Sequence, residues 1–341
     1  MSTPPIALLP ALAGGLGASA AWQQSTQADD VDLLAASQPN WALGYDQLTK
    51  GPFQGQMHSV QLPGVRLVHE QSNCGLRQRG HIGVGHFGFA MPLAMQGPVK
   101  FDGQSLEDQS MMIGRSEELD LCCPGSFGLV GIVVAADLLR ELWQRMYQRP
   151  LSRWLDHQIV VQARPAPAAD LKDAHVRMLR AIASSPQLLQ SPQTVAQMRD
   201  EILMQWVEAI PERVEMSDTR SLEARKRLVE RACELVMSRP EQPMSMLKLC
   251  TEIGTSQRRL EYSFQAVLGM SPSKYLRAAR LNGARREIKS AADVPASDRP
   301  GVQDVASRWG FWHMGEFASE YRRQFGELPS STLAGVFRKG G

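Results

Sequence analysis

The chain has 341 residues, 43% of them hydrophobic and 21% charged, so it can bury a large core and is neither a disordered nor a collagen-like protein. Its five cysteines are an odd number without a C-x-x-C pair, which excludes a small disulfide scaffold and favours a reducing compartment, the cytoplasm. Residues 220–341 carry 21 basic and 13 acidic side chains, whereas residues 1–219 carry 16 and 22, so we expect two domains, of which the second meets a polyanion.

The first 40 residues predict a poorly ordered tail. Residues 6–22 carry no charge, but no Lys or Arg precedes them as in a signal peptide, and Pro10 and three glycines interrupt the segment. The run is also shorter than the roughly 20 apolar residues that cross a bilayer. We therefore expect no membrane association from residues 1–40.

Residues 41–210 change from a β-like to a helical pattern, and we predict one domain over this range. Short apolar stretches broken by Gly and Pro fill the first part, a spacing typical of a small antiparallel barrel or sandwich. Amphipathic helices follow, the last over residues 192–210. In this helix Met198, Ile202 and Trp206 form an apolar stripe that packs in a core or forms a dimer interface, and we take it as the candidate dimer surface.

A polar segment without periodicity, residues 211–220, predicts a linker to a second domain over residues 221–341. The pattern of this domain is nearly all helical. A short helix over residues 246–253 ends at Gly254, and a longer helix follows over residues 257–267. A short helix, a Gly-containing turn and a second helix are typical of a helix-turn-helix motif.

The same arrangement occurs a second time further along the chain. Pro272 fits the first turn of a long helix that ends near residue 289. After a polar connection, a short helix over residues 302–309 is followed by a turn at Gly310 and a last helix over residues 312–325. The sequence therefore predicts two helix-turn-helix units joined by one long helix.

Several motifs in this basic half resemble the AraC/XylS family of transcription regulators. They are, in chain order, Pro272-Ser273-Lys274-Tyr275-Leu276, Arg280-Leu281, Ala284-Arg285-Arg286, Val305-Ala306, Trp309-Gly310-Phe311, Phe317, Tyr321-Arg322-Arg323, Phe325-Gly326 and Pro329-Ser330. The resemblance covers about residues 222–333. The run Phe311-Trp312-His313-Met314-Gly315 further resembles the branch that includes regulators of ethanolamine and related amine utilisation.

The resemblance implies an α+β protein, in which an N-terminal cupin-like β-barrel with dimerising helices precedes an all-α domain with two helix-turn-helix motifs joined by a linker helix. It implies a homodimer that binds double-stranded DNA, contacts RNA polymerase and responds to a small-molecule effector, an amine being one candidate. The function expected is that of a sequence-specific activator of a catabolic operon. Two recognition helices on one rigid helix can enter successive major-groove segments about 34 Å apart.

The outward positions of the two recognition helices are the candidate base contacts. The set that aligns with the family's base-reading positions is Arg258, Glu261, Tyr262, His313, Met314, Gly315 and Ser319. Arg258 can donate two hydrogen bonds to a guanine, and Glu261 can accept one from a cytosine or remain a solvated charge. Arg259, Arg322 and Arg323 are candidate phosphate contacts, which add affinity without sequence information.

The β-rich half contains apolar and acidic candidates for a ligand pocket. The candidate effector-binding residues are Trp41, Phe87, Phe89, Met91, Met112, Glu117 and Glu118. The aromatic and methionine side chains can line the mouth of a small barrel or pack its core. The two glutamates can pair with an ammonium group or form a solvated loop. His58, His69, His81 and His86 lack the His-x-His spacing of a metal-binding cupin, so we expect neither a metal nor another cofactor.

The sequence does not predict an enzyme. It contains no Gly-x-Ser-x-Gly elbow, no Gly-x-x-x-x-Gly-Lys phosphate loop and no His-Glu-x-x-His zinc helix. Two other classes remain open. One is a metal-dependent cupin-type enzyme fused to a DNA-binding tail, and the other is an architectural protein that binds duplexes without base preference.

Overall fold

The computed structural model describes residues 21–38, 41–115, 118–148, 150–151, 155, 158–211, 220–242, 244–291, 294–295 and 299–339. Its strands are β1 Trp22–Ala28, β2 Ala42–Gln47, β3 Gly55–Leu62, β4 Val65–Ser72, β5 Leu76–His81, β6 His86–Met95, β7 Lys100–Phe101, β8 Gln104–Ser105, β9 Ser110–Gly114, β10 Leu119–Cys123, β11 Phe127–Ala135 and β12 Val160–Gln162. Its helices are α1 Val31–Ala36, α2 Ala136–Tyr147, α3 Pro165–Ser184, α4 Pro192–Ala209, α5 Arg220–Ser238, α6 Met246–Ile253, α7 Gln257–Leu268, α8 Pro272–Ser290, α9 Val302–Arg308, α10 Met314–Phe325 and α11 Pro329–Lys339.

The N-terminal half is a β-rich domain built from two antiparallel sheets. The larger sheet has the strand order β1-β3-β4-β11-β6-β9-β12, and the smaller sheet has the order β2-β5-β10-β7-β8. Strand β11, in the middle of the larger sheet, is apolar along its length because both of its faces are covered. Its even-numbered residues from Val130 to Val134 pack with the helices, and its odd-numbered residues from Leu129 to Val133 face the smaller sheet.

Residues 22–36, which the sequence predicts to be part of a poorly ordered tail, form β1 and α1. Strand β1 pairs in register with β3 at the edge of the larger sheet. Asp30 caps α1 by accepting hydrogen bonds from the backbone N–H groups of Asp32 and Leu33. The sequence did not predict β1 because this strand lacks an apolar pattern: it is mostly Gln, Ser and Thr. An edge strand with a solvated face needs few apolar residues. Residues 1–20 of the predicted tail lie outside the described residues.

Helices α2, α3 and α4 pack against the outer face of the larger sheet and complete the main core. Ile202 and Trp206 of α4 are buried in this core and Met198 packs at its margin, so the stripe interpreted as a dimer surface is covered within the chain itself. The Trp206 indole N–H donates to His175 Nδ1 at 3.3 Å, and His175 Nε2 lies 3.1 Å from the carbonyl oxygen of Val68. These contacts fix α3 and α4 to β4.

Helices α5 to α11 form the C-terminal domain, which has two apolar cores. One core surrounds Phe264 and Tyr275, between α5, α6, α7 and the first half of α8. The other surrounds Phe317, between the second half of α8 and helices α9 to α11. A Cβ atom on Gly283 of α8 would lie 2.1 Å from the Trp309 ring, so only glycine permits this approach of the ring to α8. Helix α8 therefore belongs to both cores and joins them.

The sequence predicts a linker between the two domains over residues 211–220. Residues 212–219, nearly the whole of the predicted 211–220 segment, lie outside the described residues. Across the described ranges of the chain, no helix combines the length and apolarity that a membrane crossing requires.

Candidate nucleic-acid interface

The first short-helix, turn and longer-helix unit consists of α6 and α7. Gly254 follows α6 at φ +69°, a left-handed conformation that favours glycine, and turns the chain sharply. Ser256 Oγ then accepts the backbone N–H of Arg259 at 3.3 Å and caps α7. Leu260 and Phe264 are buried on the inner face of α7. Helix α7 is therefore fixed to the core by one face and exposes the other.

The three predicted base contacts of α7 share its exposed face. Arg258, Glu261 and Tyr262 are all exposed, and Tyr262 keeps 60% of its surface in solvent. The Arg225 guanidinium lies 4.9 Å from the centre of the Tyr262 ring. Gln257 Nε2 donates to Glu261 Oε1 at 2.8 Å and orients that carboxylate. A cation, an anion and an aromatic ring thus stand side by side on one solvent-facing helix surface.

The second unit consists of α9 and α10, and α10 repeats the arrangement of α7. Phe317 and Tyr321 bury one face of α10 in the second core. The predicted base contacts that are exposed on this unit are His313, Gly315 and Ser319. Met314 differs, because it is half-buried against the core and only part of its side chain reaches solvent.

Charges around the two helices are distributed unevenly. Arg259, Arg322 and Arg323, the predicted phosphate contacts, are all exposed. Glu316 is exposed in the first turn of α10, where a carboxylate opposes the approach of phosphates. Trp312, just before α10, is 65% exposed and adds a large apolar surface at this end of the helix. The surface of α7 is therefore better suited to a polyanion than that of α10.

Helix α8 holds both units in one body. The ring of Tyr275 on α8 lies 6.0 Å from the ring of Phe264 on α7. Two residues further along, Arg277 pairs with Glu320 and so connects α8 to α10. Because one helix contacts both candidate recognition helices, the separation of α7 and α10 is set by the geometry of α8.

An apolar cavity of about 90 Å³ lies between the two sheets of the N-terminal domain. Trp41, Phe89 and Met112, three of the predicted effector-binding residues, line it. Phe87 and Met91 lie instead in the core between the larger sheet and the helices. The structure thus divides the predicted aromatic and methionine set between a cavity and a packed core.

The predicted acidic residues and histidines lie elsewhere. Glu118 is exposed and lines a cleft between the two domains, and Glu117 lies outside the described residues. His69 and His175 belong to the larger sheet and to α3, and burial lowers the pKa of both, that of His175 to about 3. In the part of the chain that the structure describes, no group of three His, Cys, Asp or Glu side chains is placed to hold a metal ion.

Three polar side chains of the cavity were not singled out from the sequence. Tyr45 Oη donates to Glu70 Oε2 at 3.2 Å, and Gln78 Nε2 donates to Glu70 Oε1 at 2.7 Å. Glu70 is only 5% exposed. Burial raises the pKa of its carboxyl to about 7, although both hydrogen bonds act in the opposite direction. No local motif marks Glu70, because its inward orientation depends on the pairing of β4 with distant strands.

The face of the smaller sheet that points away from the cavity contacts the C-terminal domain. The backbone N–H of Gln47 donates to Asn282 Oδ1 at 3.0 Å, and Asn282 Nδ2 donates to the Gln47 carbonyl at 2.9 Å. Gln324 of α10 donates to the same carbonyl at 2.9 Å. Arg77 of β5 donates to both carboxylate oxygens of Asp120 and to the hydroxyl of Tyr275. Strand β2 thus contacts both α8 and α10.

A second contact between the domains is ionic. The acidic side chains are Asp30, Asp32 and Asp46 of the N-terminal domain, and the basic ones are Arg285, Arg286 and Lys289 of α8. Lys289 Nζ lies 2.6 Å from Asp30 Oδ1 and 2.9 Å from Asp32 Oδ2. Burial alone would raise the pKa of Asp30, but the hydrogen bond from Lys289 and the charges of Lys289 and Arg285 lower it. The opposite net charges of the two halves therefore meet at α8.

Comparisons with known proteins identify residues 249–335 as a helix-turn-helix domain. The probable thc operon regulatory protein of Rhodococcus erythropolis is 37% identical over 109 residues, which make up 32% of this chain and 32% of that protein. The XylDLEGF operon transcriptional activator of Pseudomonas putida is 31% identical over 104 residues, which make up 30% of this chain and 31% of the activator. The matches thus span about a third of the length of these relatives.

A solved structure with a similar segment is the AraC-type transcriptional regulator from Chromobacterium violaceum. It is 28% identical, covers 33% of this chain and 94% of its own, and has a TM-score of 0.29. The helix-turn-helix model, over residues 249–335, coincides with helices α6 to α11. Residues 249–335 of this chain therefore form a helix-turn-helix domain, and the C-terminal domain is similar in sequence to a segment of XylS-type operon activators.

Proposed function

We propose that the chain is a sequence-specific DNA-binding regulator of transcription that acts as an activator. The observation that carries the proposal is the pair of helices α7 and α10, each buried on one face, exposed on the other and fixed to the same helix α8. Two such helices on one frame suit successive major-groove segments of a duplex, so both units act as helix-turn-helix motifs. The name of the Pseudomonas putida relative, an operon transcriptional activator, supports the direction of regulation.

The exposed side chains divide into base and phosphate contacts. The base contacts in this proposal are Arg258, Glu261, Tyr262, His313, Met314, Gly315 and Ser319. Arg258 pairs with a guanine, and Gly315 lets the backbone of α10 approach a base because no side chain intervenes. Arg259, Arg322 and Arg323 contact phosphates and set the salt dependence of binding.

The N-terminal domain is proposed to be a cupin-like sensing domain, without catalytic activity, that binds a small effector in the cavity between the sheets. The smaller sheet supports this role, because one of its faces lines the cavity and the other contacts α8 and α10. An effector that binds one conformation of the smaller sheet more tightly than another increases the population of that conformation. Because the same sheet contacts α8 and α10, the position of the C-terminal domain changes with it.

Other expected properties complete the proposal. Dimerisation through the N-terminal domain, contact with RNA polymerase and a cytoplasmic location are supported by the resemblance of residues 222–333 to AraC/XylS regulators. Kinship with regulators of amine utilisation is supported by the run 311–315. A dimer surface has to use faces other than the stripe of Ile202 and Trp206, which is buried in the core of the same chain.

Selection from a random pool of duplexes tests the proposed function. The full-length chain is incubated with the pool at physiological salt, and the retained duplexes are sequenced. We expect two enriched blocks about one helical turn apart, because α7 and α10 are held on one frame. Binding without enrichment, which only weakens as salt is added, would contradict the proposal and favour an architectural protein.

Substitution of neighbouring arginines tests the assignment of base and phosphate contacts. Arg258→Ala should cost about 1–3 kcal/mol on the selected site and relax preference at one base pair, because it removes a bidentate contact. Arg259→Ala is the matched control, since it should weaken binding equally on all sequences and lower the salt slope by about 1. An equal loss on all sequences with Arg258→Ala would make that residue a phosphate contact instead.

A further inference from the structure

The cavity between the sheets has an almost entirely apolar wall. Small residues of the larger sheet, among them Gly88, Ala90 and Gly131, leave room on one side. Side chains of the smaller sheet, such as Leu43 and Leu121, form the other side. An apolar molecule could fill such a space through the hydrophobic effect alone. The exception in the wall is Glu70 with its two hydrogen-bond donors.

Glu70 is a buried carboxyl group whose hydrogen-bond partners among the described residues are uncharged. Its two hydrogen bonds come from neutral groups, the Tyr45 hydroxyl and the Gln78 amide. Among the described residues, no Lys, Arg or His forms an ion pair with it. A carboxylate accepts up to about four hydrogen bonds, so two neutral donors leave acceptor capacity unused. A buried carboxylate without a cation is costly, and proteins normally pair such a charge.

The two arginines that flank Gln78 in β5 face away from the cavity. Arg77 and Arg79 flank Gln78 in β5, but strand alternation directs them to the cleft between the domains. There Arg77 is paired with Asp120, and Arg79 lies 3.9 Å from Asp46. Both arginines therefore already have acidic partners on the opposite side of the smaller sheet.

We propose that the cavity binds a short-chain alkylammonium ion, whose ammonium group pairs with Glu70 and whose alkyl chain lies among the apolar side chains. The ammonium donates to the carboxylate oxygens, and the nearby ring of Tyr45 offers further stabilisation of a cation. This inference rests on the proposed function, since it assigns a ligand class to the proposed sensing domain. It moves the amine contact from the predicted Glu117 and Glu118 to Glu70.

The volume of the cavity limits the length of the alkyl chain. A cavity of about 150 Å³ accepts the six carbons of benzene, so by proportion the 90 Å³ found here suits about three to four non-hydrogen atoms, such as two carbons and one nitrogen. The apolar wall offers few partners for further polar groups on the chain. Ethylammonium is therefore the probe that the cavity fits, with ethanol and acetate as neutral and anionic counterparts of similar length.

Thermal unfolding of the full-length chain with these three probes tests the proposal. Ethylammonium chloride should raise the unfolding temperature relative to sodium chloride of equal ionic strength, because a ligand that binds the folded state stabilises it. Glu70→Gln should weaken this binding by about tenfold or more, since it removes the charge from the hydrogen bond. Glu118→Gln is the matched control, and it should bind the probe as the wild type does.

Three results would overturn the proposal. They are no stabilisation of the wild type by ethylammonium, equal stabilisation of the wild type and Glu70→Gln, and stabilisation of the wild type by ethanol as strong as that by ethylammonium. If Glu70→Gln fails to fold, Ala90→Leu takes its place, because it fills the cavity and leaves Glu70 intact. Loss of binding in Ala90→Leu supports the proposal and full binding overturns it. The same protein preparation is also used for the duplex selection described above. If it enriches specific duplexes but does not bind the probe, this inference fails while the proposed DNA recognition stands.

Discussion

At the scale of single residues, Glu70 couples the stability of the protein to pH. Burial raises the pKa of this carboxyl from 4.5 to about 7, so the folded chain retains a proton that the unfolded chain releases between these values. The free energy of unfolding therefore falls as pH rises through this interval. The expected loss is about 3 kcal/mol, at about 1.4 kcal/mol per pKa unit.

We expect Glu70→Gln to remove this loss between about pH 5 and about pH 8, because an amide does not titrate. The measurement is the urea midpoint of unfolding at a series of pH values for the wild type and the variant. Glu118→Gln, a change at an exposed carboxyl, should keep the wild-type profile. Identical pH profiles for the wild type and Glu70→Gln would show that the buried carboxyl does not cause the effect.

The same residue shows what a sequence can and cannot predict about a site. The exposed face of α7 could be predicted from helical periodicity and the capping Ser256, which together fix the direction of Arg258 and Tyr262. Glu70 points inward because β4 pairs with β3 on one side and with β11 on the other, about 60 residues away. Periodicity within one strand carries no information about such a partner, so the cavity carboxylate was missed.

At the scale of elements, α4 shows that an apolar stripe predicts a helix correctly without indicating what covers its apolar face. The spacing of Met198, Ile202 and Trp206 predicts a helix with one apolar face, and the structure contains that helix. A face covered by a sheet of the same chain and a face covered by a second chain produce the same pattern. The choice between them depends on where β4 and α3 lie, which the helix sequence does not encode. Strand β1 was missed for a different reason, because a polar edge strand lacks an apolar pattern altogether.

The contact between α8 and α9 leads to a prediction about the second unit. Gly283→Ala should lower the free energy of unfolding by about 1–3 kcal/mol, since its Cβ would overlap the Trp309 ring. It should also reduce the second enriched block in duplex selection more than the first, because it shifts α9 and α10 but not α7. Chemical denaturation and the selection experiment measure the two effects.

Gly335→Ala on α11 is the control, because a Cβ at this position meets no atom within 4 Å. Alanine is favoured over glycine in helices by up to about 1 kcal/mol, so this variant should be as stable as the wild type or more stable. A Gly283→Ala variant as stable as Gly335→Ala, with both enriched blocks unchanged, would show that α8 and α9 are not tightly packed.

At the scale of the whole molecule, ion pairs form one of the contacts between the two domains. Asp32 and Asp46 pair with Arg286 of α8, and Asp32 also pairs with Lys289. Partly exposed ion pairs are screened by dissolved ions. The contact between the domains should therefore loosen as salt is raised, independently of the effect of salt on DNA binding.

The double variant Asp32→Asn/Asp46→Asn should loosen the same contact at low salt. We expect faster hydrogen exchange along β2 and α8, equivalent to a loss of about 1–2 kcal/mol of protection, because exposed ion pairs contribute up to about 1 kcal/mol each. Asp137→Asn is the control, since Asp137 pairs with Arg140 on α2, away from this contact. Unchanged exchange in the double variant would indicate that the hydrogen bonds of Gln47 and Arg77 hold the domains without help from these charges.

The alternation of side chains in the smaller sheet limits how such a protein can change over evolutionary time. Tyr45 faces the cavity and Asp46 the C-terminal domain, and Gln78 and Arg77 repeat this division in β5. Inserting one residue into β5 would turn the arginine toward the apolar cavity and the glutamine toward α8, which damages both sides at once. Substitution at every second position avoids this damage. Substitutions at the positions that face the cavity can therefore change the ligand preference, while the alternate positions that contact α8 remain unchanged.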